Sequence, residues 1–276
     1  MKFVQFYSEN SVKAGVLTDK GVLPLKSLSA DMPETVLDLI KCDDDVMARI
    51  PRLVESAPAD AYIPTAQIRY AAPVTGMEKV LCIGLNYRRH AMELGLKLPA
   101  YPTVFCKLAN AYAAHQEEIP FPAEASHVDY EAELVIIMGN GGKIWGYTCG
   151  NDLSIREWQN ETTQWIVGKN ADGFAPMGPC VVDAASLNGD DLHIESRVNG
   201  EVRQSSTTSD MIFNCQQIID YIQPRVPLKA GDAIFTGTPS GVMQGYPKDQ
   251  QHWLVPGDTI EVEIENIGVL SNCFAK

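Results

Sequence analysis

The sequence predicts an α+β chain in which strands dominate. Its apolar runs are short and end at Gly, Pro, Asn or Asp, as in VLCIGLNY (80–87), ELVIIMG (133–139) and IWGYTC (144–149); such lengths between turn residues suit buried strands. Alternating residues flank Asn199-Gly200 in LHIESRVNGEVRQSS (192–206), the dipeptide favoured by two-residue type I′ hairpins. Helical periods are few. The clearest is TSDMIFNCQQIIDYI (208–222), with Thr208 or Ser209 as its cap and Ile212, Ile218, Ile219 and Ile222 as its apolar face.

The chain has 276 residues, 45% apolar and 21% charged, enough for one large domain or two unequal ones. No apolar run reaches the roughly 20 residues of a membrane span, and MKFVQFYSEN lacks the pattern of a signal peptide. Seven cysteines form no CxxC pair, so neither a disulfide framework nor a thiolate zinc site is expected, and a reducing, cytoplasmic compartment fits. A net charge of −13 disfavours nucleic acid and anionic membranes as partners. An anionic substrate would need a local cluster of positive charge.

Residues 1–72 read as a small separate domain. KFVQFYS (2–8) and VKAGVLT (12–18) are strand-like, TDKG (18–21) is a turn, and PETVLDLI (33–40) opens a short helix. Residues 43–61, with Pro51 and Pro58, show little periodicity. The main domain, 73–276, begins with the strand 80–87. RRHAMELG (88–95) follows, with His90 and Glu93 three apart and so neighbours on a helical turn. A histidine oriented by a carboxylate is the minimal general base, and Gly84 and Gly95 on either side suggest a mobile lid. PTVFCKLAN (102–110) is strand-like, and its Lys107 is the first candidate for the cationic cluster.

HVDYEAELVIIMG (127–139) is the stretch that carries the chemistry. Glu131 and Glu133 sit at i and i+2 of a strand, so both point to one face. Two like charges on a mostly apolar strand repel one another and lose hydration, and a bound cation relieves both costs. Asp152, just after the strand IWGYTC, supplies a third carboxylate. An all-oxygen set of this kind suits Mg²⁺, with Mn²⁺ or Ca²⁺ also possible. In NDLSIREWQ (151–159), Arg156 and Gln159 lie four and seven residues after Asp152, on one face if the segment is helical. Lys169 follows in a Gly/Pro-rich loop. The β-rich C-terminal third contains TGTPSG (236–241), whose backbone N–H groups and Thr238 hydroxyl suit a carboxylate. A second E-x-E, Glu261 and Glu263, has no acidic partner and reads as an exposed strand face.

The ordered series GLNYxxHxxE (84–93), VFxK (104–107), DYExEL (129–134), GYTxxND (146–152), RxxQ (156–159), Lys169 to FAPxGP (174–179), RVNGExRQ (197–204), SDMIF (209–213) and TGTPxGV (236–242) resembles the fumarylacetoacetate hydrolase family over about residues 72–274. The resemblance implies a mixed β-roll catalytic domain with a smaller N-terminal β-containing domain, assembled as homodimers. It implies Glu131, Glu133 and Asp152 as metal ligands, most often for Mg²⁺. Lys169 would lie near the metal and the reacting carbonyl, and His90 and Glu93 would form the lid dyad. Arg156, Gln159 and Thr238 match residues that contact the substrate, and Lys107 joins them as a cation. Two departures stand out: the connection after Gly139 is short, and Asn170-Ala171-Asp172-Gly173 replaces a common Gly-Phe-Asp-Thr, which should alter the pocket wall.

The activity implied is Mg²⁺-dependent hydrolysis of a C–C bond in an acylpyruvate or other 1,3-diketo acid, through an enolate. A 2-oxo acid decarboxylase of the oxaloacetate type, or a 2-hydroxy-dienedioate isomerase or tautomerase, would use the same site. Hydrolysis stands first because both members of the dyad are present. A non-catalytic binding protein is the alternative from another class.

Overall fold

The computed structural model describes residues 1–276. Its backbone is organised by a mixed eleven-stranded sheet. In spatial order the main path runs Gly21–Pro24, Ser11–Thr18, Lys2–Ser8, Ala175–Asp183, Ile144–Asn151, Ala132–Met138, Ala233–Phe235, Val80–Gly84 and Thr103–Lys107. Arg69–Tyr70 and Tyr112–Ala114 pair off this path. Most neighbours are antiparallel, but Ala233–Phe235 runs parallel to Val80–Gly84, and Ala175–Asp183 parallel to Tyr112–Ala114. A five-stranded sheet, Glu201–Thr207, His193–Val198, Thr259–Ile264, Gly268–Phe274 and Glu118–Ile119, packs against it. The mixed, strand-dominated architecture is the one expected.

Strand Ala132–Met138 is buried at every position because it has a core on each side. Leu134, Ile136 and Met138 join Ile194, Val262, Ile264 and Leu270 of the smaller sheet and Ile218, Ile219 and Ile222 of helix Cys215–Ile222. Val135 and Ile137 face the opposite way, onto Phe3, Val36, Leu39, Ile40 and Ile50. The two-residue alternation of a strand divides the apolar run between the cores. It also continues the face of Val135 back through Glu133 to Glu131.

The sheet is continuous across residue 72. Lys2 and Phe3 pair with Val182 and Val181, deep in the main sheet, and helices Val36–Lys41 and Asp44–Glu55 cover the second core. The second of these helices falls where little periodicity was expected. Val46, Met47, Ile50, Leu53 and Val54 do follow a helical spacing, and Pro51 lies inside the helix.

One expected helix start moves along the chain, whereas the expected hairpin stays in place. The helix expected from Thr208 or Ser209 begins at Cys215, where Asn214 and Gln217 form a reciprocal capping box; residues Thr208–Asp210 make a separate 3₁₀ turn. The hairpin closes at Asn199-Gly200 with φ of 51° and 82°, the two positive values a type I′ turn requires. The short connection after Met138 is a closed turn in which Gly139 N–H donates to Lys143 O at 2.7 Å. Glu263 of the second E-x-E pairs with Arg197 at 2.6 Å, away from the carboxylate cluster. All seven cysteines are free thiols. No helix is long and apolar enough to cross a membrane.

Candidate active site

The carboxylates converge where strands Ala132–Met138 and Ile144–Asn151 end together. Ala132 pairs with Asn151. Just beyond, Asp152 N–H donates to Glu131 O at 2.9 Å, and Glu131 N–H donates to Asn151 Oδ1 at 2.9 Å. Those two bonds lock Glu131 beside Asp152, and the strand alternation brings Glu133 to the same face. One carboxylate oxygen from each of Glu131, Glu133 and Asp152 lies within 4.8 Å of the others. All three residues are buried.

Three buried cations surround them. Lys169 Nζ lies 2.8 Å from Glu131 Oε2 and 2.8 Å from Asp152 Oδ2. Arg156 binds Glu131 Oε1 through Nη1 at 2.7 Å and Asp129 Oδ2 through Nε at 2.8 Å. Lys107 pairs with Asp152 Oδ1. Burial pushes the Glu131 carboxyl up, but Lys169 and Arg156 outweigh it and hold it at about 2. Lys169 is likewise lowered by burial and raised on balance by Asp152 and Glu131.

Glu133 is the exception. Its one hydrogen bond comes from Gly237 N–H at 2.6 Å. Burial, then the charges of Asp152 and Glu131, push its carboxyl well above the ordinary range. Four buried carboxylates, counting Asp129, face three cations, and the shortfall falls on Glu133. A hard divalent cation among the three oxygens would relieve it, so the donor set fits Mg²⁺, Mn²⁺ or Ca²⁺.

A cavity of about 160 Å³ opens onto this cluster. Glu131, Glu133, Lys169, Arg156, Gln159, Thr238 and His90 all line it. His90 sits on helix Arg88–Glu93 with Nδ1 3.1 Å from Glu93 Oε2. Glu93 Oε1 accepts Gly241 N–H at 3.0 Å. Gly245 is pressed against Glu93, because a Cβ there would lie 2.5 Å from the carboxyl carbon. The dyad is thereby fastened to the loop after Thr238. Leu94 and Leu96, next along the chain, also line the cavity, as do Trp165 and Phe105, whose ring centroid lies 5.3 Å from Lys169 Nζ.

Several expected roles change. Lys107 does not line the cavity. Its ammonium donates to the carbonyls of Leu153 (3.1 Å) and Phe174 (2.8 Å) and also to Lys169 O, so it holds Asp152 from behind and has no donor left for substrate. Thr238 lines the cavity, but its hydroxyl donates to Ala132 O at 3.0 Å and accepts from Gln204 at 2.8 Å. The Gly237 N–H serves Glu133 rather than a ligand. Asp152 lies outside any helix, and only Arg156–Gln159 is helical. Arg156 and Gln159 nevertheless meet, with Nη1 to Oε1 at 2.9 Å. Lys169 ends a short helix, Ile166–Lys169, rather than lying in a loop. Asn170 and Asp172 bond to Leu108 N–H and Asn110 behind the site, so the altered 170–173 stretch braces the wall and does not form it.

Asp129 and Gln204 also support the site, outside the set of residues expected there. Asp129 is fully buried and accepts Tyr130, Met243 and Gln244 N–H as well as Arg156 Nε. Gln204 joins Ala132 N–H to Thr238 and Pro239 O. Both lie inside motifs already singled out, DYExEL and RVNGExRQ. A signal was therefore present, but the role depends on partners distant in sequence.

The profile of the fumarylacetoacetate (FAA) hydrolase C-terminal family matches residues 79–275. A fumarylacetoacetate hydrolase domain-containing protein 2 homolog of Dictyostelium discoideum is 35% identical, with 98% of this chain and 95% of that protein covered. Oxaloacetate tautomerase FAHD2A, mitochondrial, of Bos taurus is 35% identical over 91% of this chain and 83% of its own. Among solved structures, fumarylacetoacetate hydrolase from psychrophilic Exiguobacterium antarcticum superposes with a TM-score of 0.84 at 30% identity, covering 100% and 99% of the two chains. The 2-hydroxyhepta-2,4-diene-1,7-dioate isomerase of Mycobacterium marinum does so at 0.74 and 29%, covering 100% and 98%.

Proposed function

The chain belongs to the fumarylacetoacetate hydrolase family, and from that premise we propose that it interconverts the keto and enol forms of a short 2-oxo diacid of the oxaloacetate class. The observation that carries this reading is the juxtaposition, around one cavity of about 160 Å³, of a three-carboxylate cluster, Lys169 and the His90–Glu93 dyad. Drug-sized ligands occupy pockets of roughly 300–1,000 Å³, so this cavity suits a smaller acid. The name of the Bos taurus relative points the same way.

The residues divide the work. Glu131, Glu133 and Asp152 would hold Mg²⁺, which supplies Lewis-acid stabilisation of negative charge developing on substrate oxygen. With Nδ1–H donated to Glu93, His90 keeps Nε2 as its basic nitrogen. Nε2 takes a proton from the carbon next to the keto group. The C–H electron pair becomes the C=C bond, and the carbonyl π pair moves to oxygen. The imidazolium, steadied by Glu93, then gives that proton to the oxygen, and the enol results. Lys169 balances part of the negative charge, and Arg156 and Gln159 place a carboxylate of the acid. Leu94, Leu96, Phe105 and Trp165 limit water around the reacting carbon.

The dyad favours a second reading, C–C hydrolysis of an acylpyruvate, in which His90 takes its proton from water instead. One comparison separates them. The Mg²⁺-loaded protein is given oxaloacetate, with enol content and pyruvate formation both followed, and an acylpyruvate, with pyruvate release followed. Enol–keto exchange without carbon loss supports the tautomerase. Pyruvate from the acylpyruvate supports the hydrolase, and pyruvate from oxaloacetate moves the function to decarboxylation. No turnover of either acid would sink the enzymatic reading.

A further inference from the structure

A second hollow, of about 220 Å³, adjoins the catalytic cavity. The two share Arg156, Asn160 and Gln244 in their walls, and His127, Gln251 and Trp253 line the far side of the second. The shared residues form a partition. Arg156 is fixed by Asp129, Glu131 and Gln159. Asn160 is exposed at the end of helix Arg156–Gln159.

Gln244 differs from both. Its main chain is anchored, with N–H donating to Asp129 Oδ2 at 3.0 Å and the carbonyl accepting from Gln251 Nε2 at 3.4 Å. Its side-chain amide makes no hydrogen bond within the protein, although it faces both hollows. On a fixed backbone and tied to no protein group, this half-buried side chain stands as bulk between the two hollows.

We propose that Gln244 sets the length of acid the site accepts, with its side chain closing the catalytic cavity against the outer hollow. This rests on the reading of the substrate as a 2-oxo diacid. A four-carbon diacid ends within the inner cavity. Each further methylene drives the distal carboxylate toward the Gln244 amide. Without that side chain the two hollows join. The longer acid then places its carboxylate beside Arg156 and the Asn160 amide, against Trp253; the Gln251 amide already donates to Gln244 O and Tyr246 O. Glu157 also borders the outer hollow, but its oxygens accept Ser126 N–H at 2.6 Å and His127 N–H at 3.1 Å.

The test uses the full-length Mg²⁺-loaded protein and Gln244→Ala. The anchoring bonds of residue 244 come from its backbone, so the substitution leaves them in place. Calorimetry measures binding of succinate, glutarate and adipate. Proton NMR in D₂O follows deuterium exchange beside the keto group of oxaloacetate, 2-oxoglutarate and 2-oxoadipate. One methylene is worth roughly 10–200-fold in a fitted pocket. The preference for the shortest acid over the longest should therefore fall by about tenfold or more in Gln244→Ala. Gln244→Leu keeps the bulk and should keep the wild-type ranking. An identical binding order in wild type and Gln244→Ala, including no binding of any acid, overturns the proposal. So does equal relaxation by Gln244→Leu. A shifted binding order with no exchange catalysed on any 2-oxo acid would leave the gate standing and remove the enolisation reading instead.

Discussion

Replacing Lys107 by Met tests whether the buried charges are balanced as described. Lys107 is 3% exposed, and its ammonium meets Asp152 and three main-chain carbonyls. Met fills much of the same volume but supplies none of these contacts. Removing one partner of a buried ion pair typically costs about 3–5 kcal/mol, because the other charge stays buried and uncompensated. Asp152 retains Lys169, which favours the lower end, whereas the orphaned carbonyls of Leu153, Lys169 and Phe174 push the other way. At about 2–4 °C per kcal/mol for a chain of this size, the melting temperature should fall by roughly 6–20 °C. The variant also leaves the carboxylate cluster with one less positive neighbour. Mg²⁺ should therefore restore more stability to Lys107→Met than it adds to wild type, where saturation at 100 times Kd adds about 2.7 kcal/mol. Urea unfolding with and without Mg²⁺ reads both effects. A loss below about 1 kcal/mol, with an unchanged response to Mg²⁺, would refute the bracing role.

Other perturbations address separate parts of the site. His90→Ala should lower kcat by about 10²–10⁴, the usual worth of a general base, while stabilisation by Mg²⁺ in a thermal melt stays intact; wild-type turnover would remove His90 from the mechanism. Gly245→Ala drives a methyl group into the Glu93 carboxylate, and a shift of that order in a positioned group costs about 10²-fold in rate. Steady-state assay should show that loss with little change in melting temperature. Away from the site, burial lowers His115 from its ordinary 6.5 to about 4, and its neutral Nδ1 accepts Ser271 N–H at 3.0 Å. The folded state resists protonation that the unfolded state accepts. The stabilisation is therefore complete above pH 6.5 and is lost as pH falls toward 4. His115→Asn should flatten the decline in the urea midpoint across that window, and an unchanged slope would exclude His115 as its source.

Local sequence determined the parts that depend on neighbours in the chain. The alternation in residues 131–138 put Glu131 and Glu133 on one face, and Asn199-Gly200 specified its hairpin, because side-chain direction and turn geometry follow from backbone rules a few residues long. The three-residue spacing of His90 and Glu93 likewise predicted their contact. Where the sequence reading missed, long-range partners decided. Lys107 has the composition of a substrate-binding cation, yet it turns inward because Asp152 and three carbonyls from distant segments surround it. Thr238 spends its hydroxyl on the strand it crosses, and the N-terminal strands enter the main sheet by pairing with residues about 180 positions away. Which face of a strand is polar is a property of the segment. Whether a buried charge meets a ligand, a cation or a carbonyl depends on what the rest of the chain brings against it, and burial makes that choice energetically decisive.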